Sequence, residues 1–246
     1  MEYIDRIFMQ ECIEGMSIYE DQSIDMILCD MPYGMTDCKW DSVLDLKKLW
    51  QQYERIIKDN GAIVLSAAQP FTSKLIMSNK RLFKYCWYWQ KNMTTGFTFA
   101  KFQPLRCMED ICVFYKKAPT YNPQGVIYHK EPIISRGKPL NTDCIYKTDY
   151  LQKDTKQYVS HYPKNLLTFK CERGLHPTQK PVALFEYLIK TYTNPGELVL
   201  DNCMGSGTTA IACLRTGRHF TGFELDPQYH SKAQERIINE IKGRVL

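Results

Sequence analysis

Short apolar runs alternate along this chain with stretches of helical spacing. Tyr3 to Phe8, Ile24 to Cys29, Ala62 to Ser66, Phe83 to Lys91, Asp110 to Tyr115, Leu198 to Leu200 and Phe220 to Glu224 read as strands. Between them, Ile13 to Tyr19, Leu46 to Ile57, Val182 to Tyr192, Thr208 to Arg215 and Pro227 to Lys242 carry helical patterns, and Pro70 opens a further helix at its first turn. Asn60-Gly61 is expected to end the second of these helices. Strands alternating with helices predict an α/β sheet.

Two strand exits stand out. Asp30-Met31-Pro32-Tyr33-Gly34 directly follows Ile24 to Cys29, and Pro32 and Gly34 stop the strand. An acid, a carbonyl and an aromatic ring are thus presented at a carboxyl strand end, where ligands of open α/β sheets sit. An ordinary exit loop would look the same, so this stretch alone decides nothing. Far downstream, Leu198 to Leu200 runs into Asp201-Asn202-Cys203-Met204-Gly205-Ser206-Gly207-Thr208-Thr209 and then a helix. Glycines there let backbone approach a ligand. The next strand ends in Glu224, where a carboxylate can accept from both ribose hydroxyls. A third glycine is missing, with Ala210 in its place, so this geometry by itself does not choose a cofactor.

Composition narrows the class. At 246 residues the chain suits one large α/β domain with room for an insertion. The first residues are mixed and charged, which predicts no signal peptide, and no apolar run approaches the ~20 residues of a membrane span. A cytoplasmic protein is expected. The ten cysteines are scattered without a Cys-x-x-Cys pair, which argues against zinc and against a disulfide framework; no metal site is predicted. The net charge of +5 permits a nucleic-acid partner without demanding one.

That charge is uneven. From Ala118 to Arg173 the chain becomes rich in Tyr, Lys, Pro and Asn. Between Thr120 and Leu175 it holds nine basic and five acidic residues, nearly the whole excess of the protein. A solvated insertion would have this composition. So would a surface that grips phosphates and stacks on bases, with tyrosines among its charges and Lys130, Arg136 and Lys138 in it, helped by Lys91 and Lys101 around the glycine-containing loop that Met93 to Phe102 is expected to form.

Three spaced motifs together resemble a known family. Asp30-Met31-Pro32-Tyr33 looks like the Asp-Pro-Pro-Tyr motif of amino-methyltransferases acting on adenine N6 or cytosine N4. Asp201 to Thr209 is similar to their S-adenosylmethionine loop, and His176-Pro177-Thr178-Gln179-Lys180-Pro181 resembles the segment preceding that loop in the permuted, β-group DNA methyltransferases. The order of motifs matches that group, and the likeness spans the chain except Thr120 to Leu175. The resemblance implies a Rossmann-like class I methyltransferase sheet, mostly parallel with helices on both faces. It also implies a target-recognition insertion at 118–175 between a catalytic part (1–117) and a cofactor part (176–246).

The same resemblance implies residue roles. The Asp30 carboxylate and Met31 carbonyl would hold the amino hydrogens, Pro32 would fix the backbone between them, and Tyr33 would stack on a flipped-out adenine. S-adenosylmethionine would contact Glu11, Cys12, Asp30, His176, Pro177, Thr178, Lys180, Asp201, Cys203, Met204, Gly205, Ser206, Gly207, Thr208, Thr209 and Glu224. Met31, Gln10-Glu11 and Asn202-Cys203 depart from the family's usual Pro, Gly-Asp and Pro-Phe. Ring-carbon methylation would need a Pro-Cys pair, and no cysteine here follows a proline. Site-specific DNA adenine-N6 methylation is the expected activity. Cytosine-N4, RNA or protein-amide methylation and a catalytically silent nucleic-acid-binding partner are the alternatives. DNA is the expected partner; a homodimer and a cognate restriction endonuclease are within what the resemblance allows.

Overall fold

The computed structural model describes residues 2–34, 44–136, 154–172 and 179–245. In chain order the elements are β1 (Arg6–Phe8), α1 (Cys12–Gly15), β2 (Ile24–Cys29), α2 (Leu46–Ile56), β3 (Ile57–Ala67), α3 (Phe71–Ser78), β4 (Phe83–Thr95) and β5 (Arg106–Phe114). They continue with β6 (Ile127–Ser135), β7 (Thr155–Ser160), β8 (Leu166–Phe169), α4 (Val182–Tyr192), β9 (Leu198–Asp201), α5 (Thr208–Thr216), β10 (His219–Phe223) and α6 (Pro227–Val245).

The main sheet has 8 strands in the order β1-β10-β9-β2-β3-β5-β4-β8. Every pairing is parallel except those of β5 with β3 and with β4, so β5 alone runs against the rest. β2 shows why the strands read as unbroken apolar runs. Its Ile24, Ile27 and Cys29 pack with Leu49, Trp50 and Tyr53 of α2 and Phe71 of α3. Its Met26 and Leu28 face the other way, toward Leu184 and Phe185 of α4 and Ile211 of α5. Both faces of a parallel strand are covered, so alternation is lost. The mostly parallel α/β sheet with helices on both faces is therefore the fold found.

β9 and β10 come late in the chain yet sit between β2 and β1, with Ile27 opposite Leu200 and Thr221 opposite both Leu200 and Arg6. The carboxyl ends of β1, β10, β9, β2 and β3 therefore line one edge. This insertion of late strands beside an early one brings the two expected strand exits together.

Two boundaries differ from the sequence reading. Asn60-Gly61 does not end a helix; α2 stops at Ile56 and β3 begins at once, running through both residues. The register between β2 and β3 shifts there. A Cβ at Gly61 would lie 2.7 Å from the Asp25 carbonyl oxygen, so the glycine serves close strand approach rather than a cap. Leu166 to Phe169, inside the basic stretch, joins the main sheet as β8, with Leu167 opposite Trp89 and buried.

A separate compact unit spans Pro123–Lys164. Its antiparallel ribbon pairs β6 with β7, Ile127 opposite Ser160 and Ser135 opposite Thr155, and most of its residues are exposed. Among the described residues no helix is long and apolar enough to cross a membrane.

Candidate active site

A cavity of about 830 Å³ opens along the carboxyl edge of the sheet. That is at the upper end of the usual range for small-molecule sites. It is bordered by the exits of β1 (Glu11, Cys12), β2 (Asp30 to Tyr33), β9 (Asp201 to Ser206) and β10 (Glu224).

Asp30 sits one residue past β2 with both oxygens engaged. The Tyr33 hydroxyl donates to Oδ1 at 2.7 Å, and the Lys180 ammonium donates to Oδ2 at 2.6 Å. Lys180 also reaches Glu109 Oε2 at 3.2 Å, and Lys91 donates to Glu109 Oε1 at 2.7 Å. Two carboxylates and two ammoniums thus form one chain of ion pairs. Burial opposes the charge on Lys180, yet Asp30 and Glu109 outweigh it and hold its pKa above the ordinary lysine value. Burial likewise acts against the Glu109 carboxylate, and Lys180 and Lys91 more than reverse it, leaving its pKa low. Burial, then the charges of Asp30 and Glu109, push the Tyr33 phenol well up, so it stays a donor.

The Tyr33 ring stacks on Phe71 with centroids 5.3 Å apart. Met31 is buried in the core beside α2 and α3, which gives the residue in the place of the family's first proline a packing role.

On β9 and β10 the loop is tied inward. Asp201 Oδ1 accepts from the Cys203 amide at 3.0 Å, and the Thr209 hydroxyl donates to Oδ2. Burial pushes the Asp201 carboxyl up to about 7 against these hydrogen bonds. The Tyr53 hydroxyl donates to Asn202 Oδ1, and Asn202 Nδ2 meets Cys12 Sγ and Cys203 Sγ, each at 3.5 Å. Arg236 donates to the Ser206 carbonyl and to Thr208 Oγ1. Gly207 has φ +82°, and a Cβ there would stand 3.1 Å from that of Ala233, so only glycine lets α6 lie against this turn. Loop side chains are thus spent on the protein, while Gly205 and Ser206 border the cavity.

Glu224 completes this end. Its Oε2 accepts from the Gly205 amide at 2.7 Å and its Oε1 from the Asp226 amide at 2.8 Å. Burial raises its pKa, opposed by these amides. A carboxylate oxygen has more than one acceptor direction, so each keeps capacity for a ligand hydroxyl. Glu11 caps α1, accepting from the Glu14 amide at 2.8 Å, and also borders the cavity.

The structure therefore brings together Glu11, Cys12, Asp30 to Tyr33, Lys180, Asp201, Cys203 to Ser206, Thr208 and Glu224 around one cavity. Lys91, expected at nucleic acid, lies inside this pocket on Glu109. Lys101, Lys130 and Arg136 are exposed. His176, Pro177, Thr178 and Lys138 lie outside the described residues. Glu109 was missed by sequence reasoning. It stands opposite Trp89, so Lys91 is its diagonal neighbour on the same face, a relation visible only once β4 and β5 are paired.

A doubly covered, mostly parallel sheet with a carboxylate-ended strand, a glycine loop and an Asp-x-Pro-Tyr exit at one edge defines an α/β nucleotide-site protein of methyltransferase type. The chain belongs to the N6/N4 DNA methylase family, whose profile matches residues 24–235. It is 27% identical over 260 residues to the Type II methyltransferase M.HpaI of Haemophilus parainfluenzae, covering 97% of this chain and 76% of that protein. It is 26% identical to the Type II methyltransferase M1.MboII of Moraxella bovis, covering 97% and 98%. Among solved structures, the M1.HpyAVI–SAM complex superposes with a TM-score of 0.65 at 24% identity, covering 94% of this chain and 98% of that one. The cytosine-N4-specific PvuII DNA methyltransferase superposes with a TM-score of 0.68 at 15% identity, covering 96% and 90%.

Proposed function

We propose that this DNA methylase transfers a methyl group from S-adenosylmethionine to the N6 amino group of an adenine flipped out of DNA. The observation that carries the reading is the placement of Asp30 and Tyr33 in one cavity with the Gly205–Glu224 end. An amino acceptor and a nucleoside-like donor would meet there. Glu224 suits ribose hydroxyls, and Glu11 suits the donor's adenine amino group. S-adenosylmethionine supplies an activated methyl on a sulfonium.

The protein's share is orientation and charge. An adenine amino nitrogen is a poor nucleophile because its lone pair is delocalised into the ring. Asp30 and the Met31 carbonyl accept its two hydrogens, aim the nitrogen and stabilise the positive charge that develops on it. Phe71 covers one face of Tyr33, and the base takes the other. Pro32 holds the two acceptors in fixed relation. Lys180 and the Tyr33 hydroxyl hold the Asp30 carboxylate in place. Adenine is favoured over cytosine because the motif begins with Asp, where cytosine-N4 enzymes more often begin with Ser. The basic stretch from Thr120 to Leu175, with Lys130 and Arg136 exposed, is the proposed target-recognition region. The Type II relatives make a companion restriction endonuclease a partner to look for.

Sequencing with modified-base detection on DNA from cells expressing the chain tests this. N6-methyladenine at one sequence context is expected. N4-methylcytosine would move the assignment to the other base, and unmodified DNA would refute the activity. Asp30→Ala should lose about 100–1000-fold in tritiated methyl transfer, the cost of one preorganised partner. Its DNA affinity should persist, since phosphate contacts dominate binding.

A further inference from the structure

Between β4 and β5 the chain forms a tip that is folded on itself. Gly96 turns at φ +89° into a short 3₁₀ helix, Phe97–Phe99. The amides of Phe99 and Ala100 donate to the carbonyls of Gly96 and Phe97 at 3.0 Å each, and that of Phe102 to Phe99 at 2.9 Å. This ordered backbone turns its largest side chains outward: Phe97 is 82% exposed, Phe99 57% and Phe102 87%. Three clustered rings in water gain nothing for the fold, and such patches mark interaction surfaces.

Two further observations identify the occupant. From Asn92 to Met108 the chain carries Lys101 and Arg106 and no acid, so the rings are flanked by positive charge alone. The base of the tip is also continuous with the active-site cavity, because Thr95, Arg106 and Met108 line the same space as Asp30 and Tyr33. Apolar rings with cations at the mouth of a base pocket match a nucleic-acid stack opened at one nucleotide. Extruding a base costs its stacking and pairing and leaves a gap walled by aromatic faces and rimmed by phosphates. Side chains of this kind fill such gaps in DNA.

We propose that the 96–103 tip enters the DNA stack beside the target nucleotide. There Phe97 or Phe102 replaces the lost stacking, and Lys101 and Arg106 take the adjoining phosphates. The inference rests on the DNA methyltransferase reading above and adds the element that holds the helix open.

The test uses the full chain carrying Phe97→Ala and Phe102→Ala together. Both positions are exposed, so thermal melting should match that of the unsubstituted protein, and S-adenosylmethionine affinity should be unchanged. On a duplex bearing the methylated sequence, single-turnover methylation should fall roughly 5- to 140-fold, equivalent to one lost base–aromatic stack. On the same duplex with an abasic site opposite the target, the pair is already broken and the loss should shrink to a few-fold. Phe97→Trp with Phe102→Trp should keep the rate on the paired duplex.

Equal rates for the alanine variant and the unsubstituted protein on the paired duplex would overturn the proposal. So would equal losses on paired and abasic duplexes. A dimer in sedimentation that the alanine pair converts to monomers would also overturn it, assigning the rings to a contact between copies. Failure of the unsubstituted protein on every DNA would instead refute the methyltransferase reading, a result distinct from an active enzyme indifferent to its tip.

Discussion

Replacing Lys180 with methionine keeps an unbranched side chain, one atom shorter, and removes its charge. The ammonium lies 2.6 Å from Asp30 and 3.2 Å from Glu109, with its side chain 7% exposed. At an effective dielectric of about 20, one such contact is worth about 6 kcal/mol of Coulomb attraction before desolvation. Desolvation takes back much of that. Breaking a buried pair from one side nonetheless costs about 3–5 kcal/mol, because the partner charge stays behind. Here two carboxylates stay behind, with only Lys91 to share. We predict that Lys180→Met loses about 3–5 kcal/mol in urea unfolding. A partly buried carboxylate without its cation also protonates more readily. Glu109, whose carboxyl Lys180 and Lys91 hold low, should therefore take up its proton at higher pH in the variant, so the variant's stability deficit should narrow as pH falls through the acid range. Adding Glu109→Gln removes one of the two stranded charges and should restore about 1–2 kcal/mol, a coupling expected of groups in one network. S-adenosylmethionine affinity should change less than turnover, because the ammonium is committed to Asp30 and Glu109. An unfolding curve within about 1 kcal/mol of the parent, together with an unmoved pH profile, would mean that the network is screened like a surface pair. The account of Asp30 given above would then be wrong.

Glu224→Ala should weaken S-adenosylmethionine binding in calorimetry by roughly 1.5–3 kcal/mol for each charge-assisted hydrogen bond lost, and unchanged affinity would remove Glu224 from the cofactor site. Asp201 supplies a pH prediction. Burial raises its pKa from 3.8 to about 7. The folded chain thus keeps a proton that the unfolded chain has released, and this group's contribution to stability declines as pH climbs from about 4 to about 7, then levels. Asp201→Asn should gain on the parent over that window by up to roughly 4 kcal/mol in urea unfolding; parallel profiles would mean that the carboxylate is ionised throughout.

Much of this arrangement was legible in the chain. β2 and α4 fall where the apolar runs place them, because a strand buried on both faces and a helix begun after Pro181 leave little ambiguity. The two strand exits were visible as motifs, and the sheet order explains why motifs so far apart in sequence share a cavity. What sequence hid was pairing. Asn60-Gly61 looks like a helix stop, and only the close approach of Asp25 reveals it as a strand position. Lys91 looks like a surface base until β5 brings Glu109 alongside it. Glu109 itself carries no motif; it stands beside Asp110 just ahead of the strand the sequence predicts, and nothing there shows which face it will occupy. The three phenylalanines of the 96–103 tip read as apolar residues of a loop. Their exposure is a property of the folded turn and is not written in their order.

The insertion of β9 and β10 beside β2 also sets the timing of the enzyme's birth. Lys180 follows Asp30 by 150 residues in the chain. At ~5–20 residues per second, a ribosome needs roughly 8–30 s to supply the first cation that neutralises that acid. The glycine loop and Glu224 emerge later still. Once residue 164 has been made, β2 still has one edge unpaired and Asp30 is without its ammonium, while every residue of the Pro123–Lys164 unit has been supplied. A growing chain of this design has its ribbon unit before the edge that carries its candidate active site is complete. Methylation competence would then arrive in a single late step, when the last strands slot into the gap kept for them.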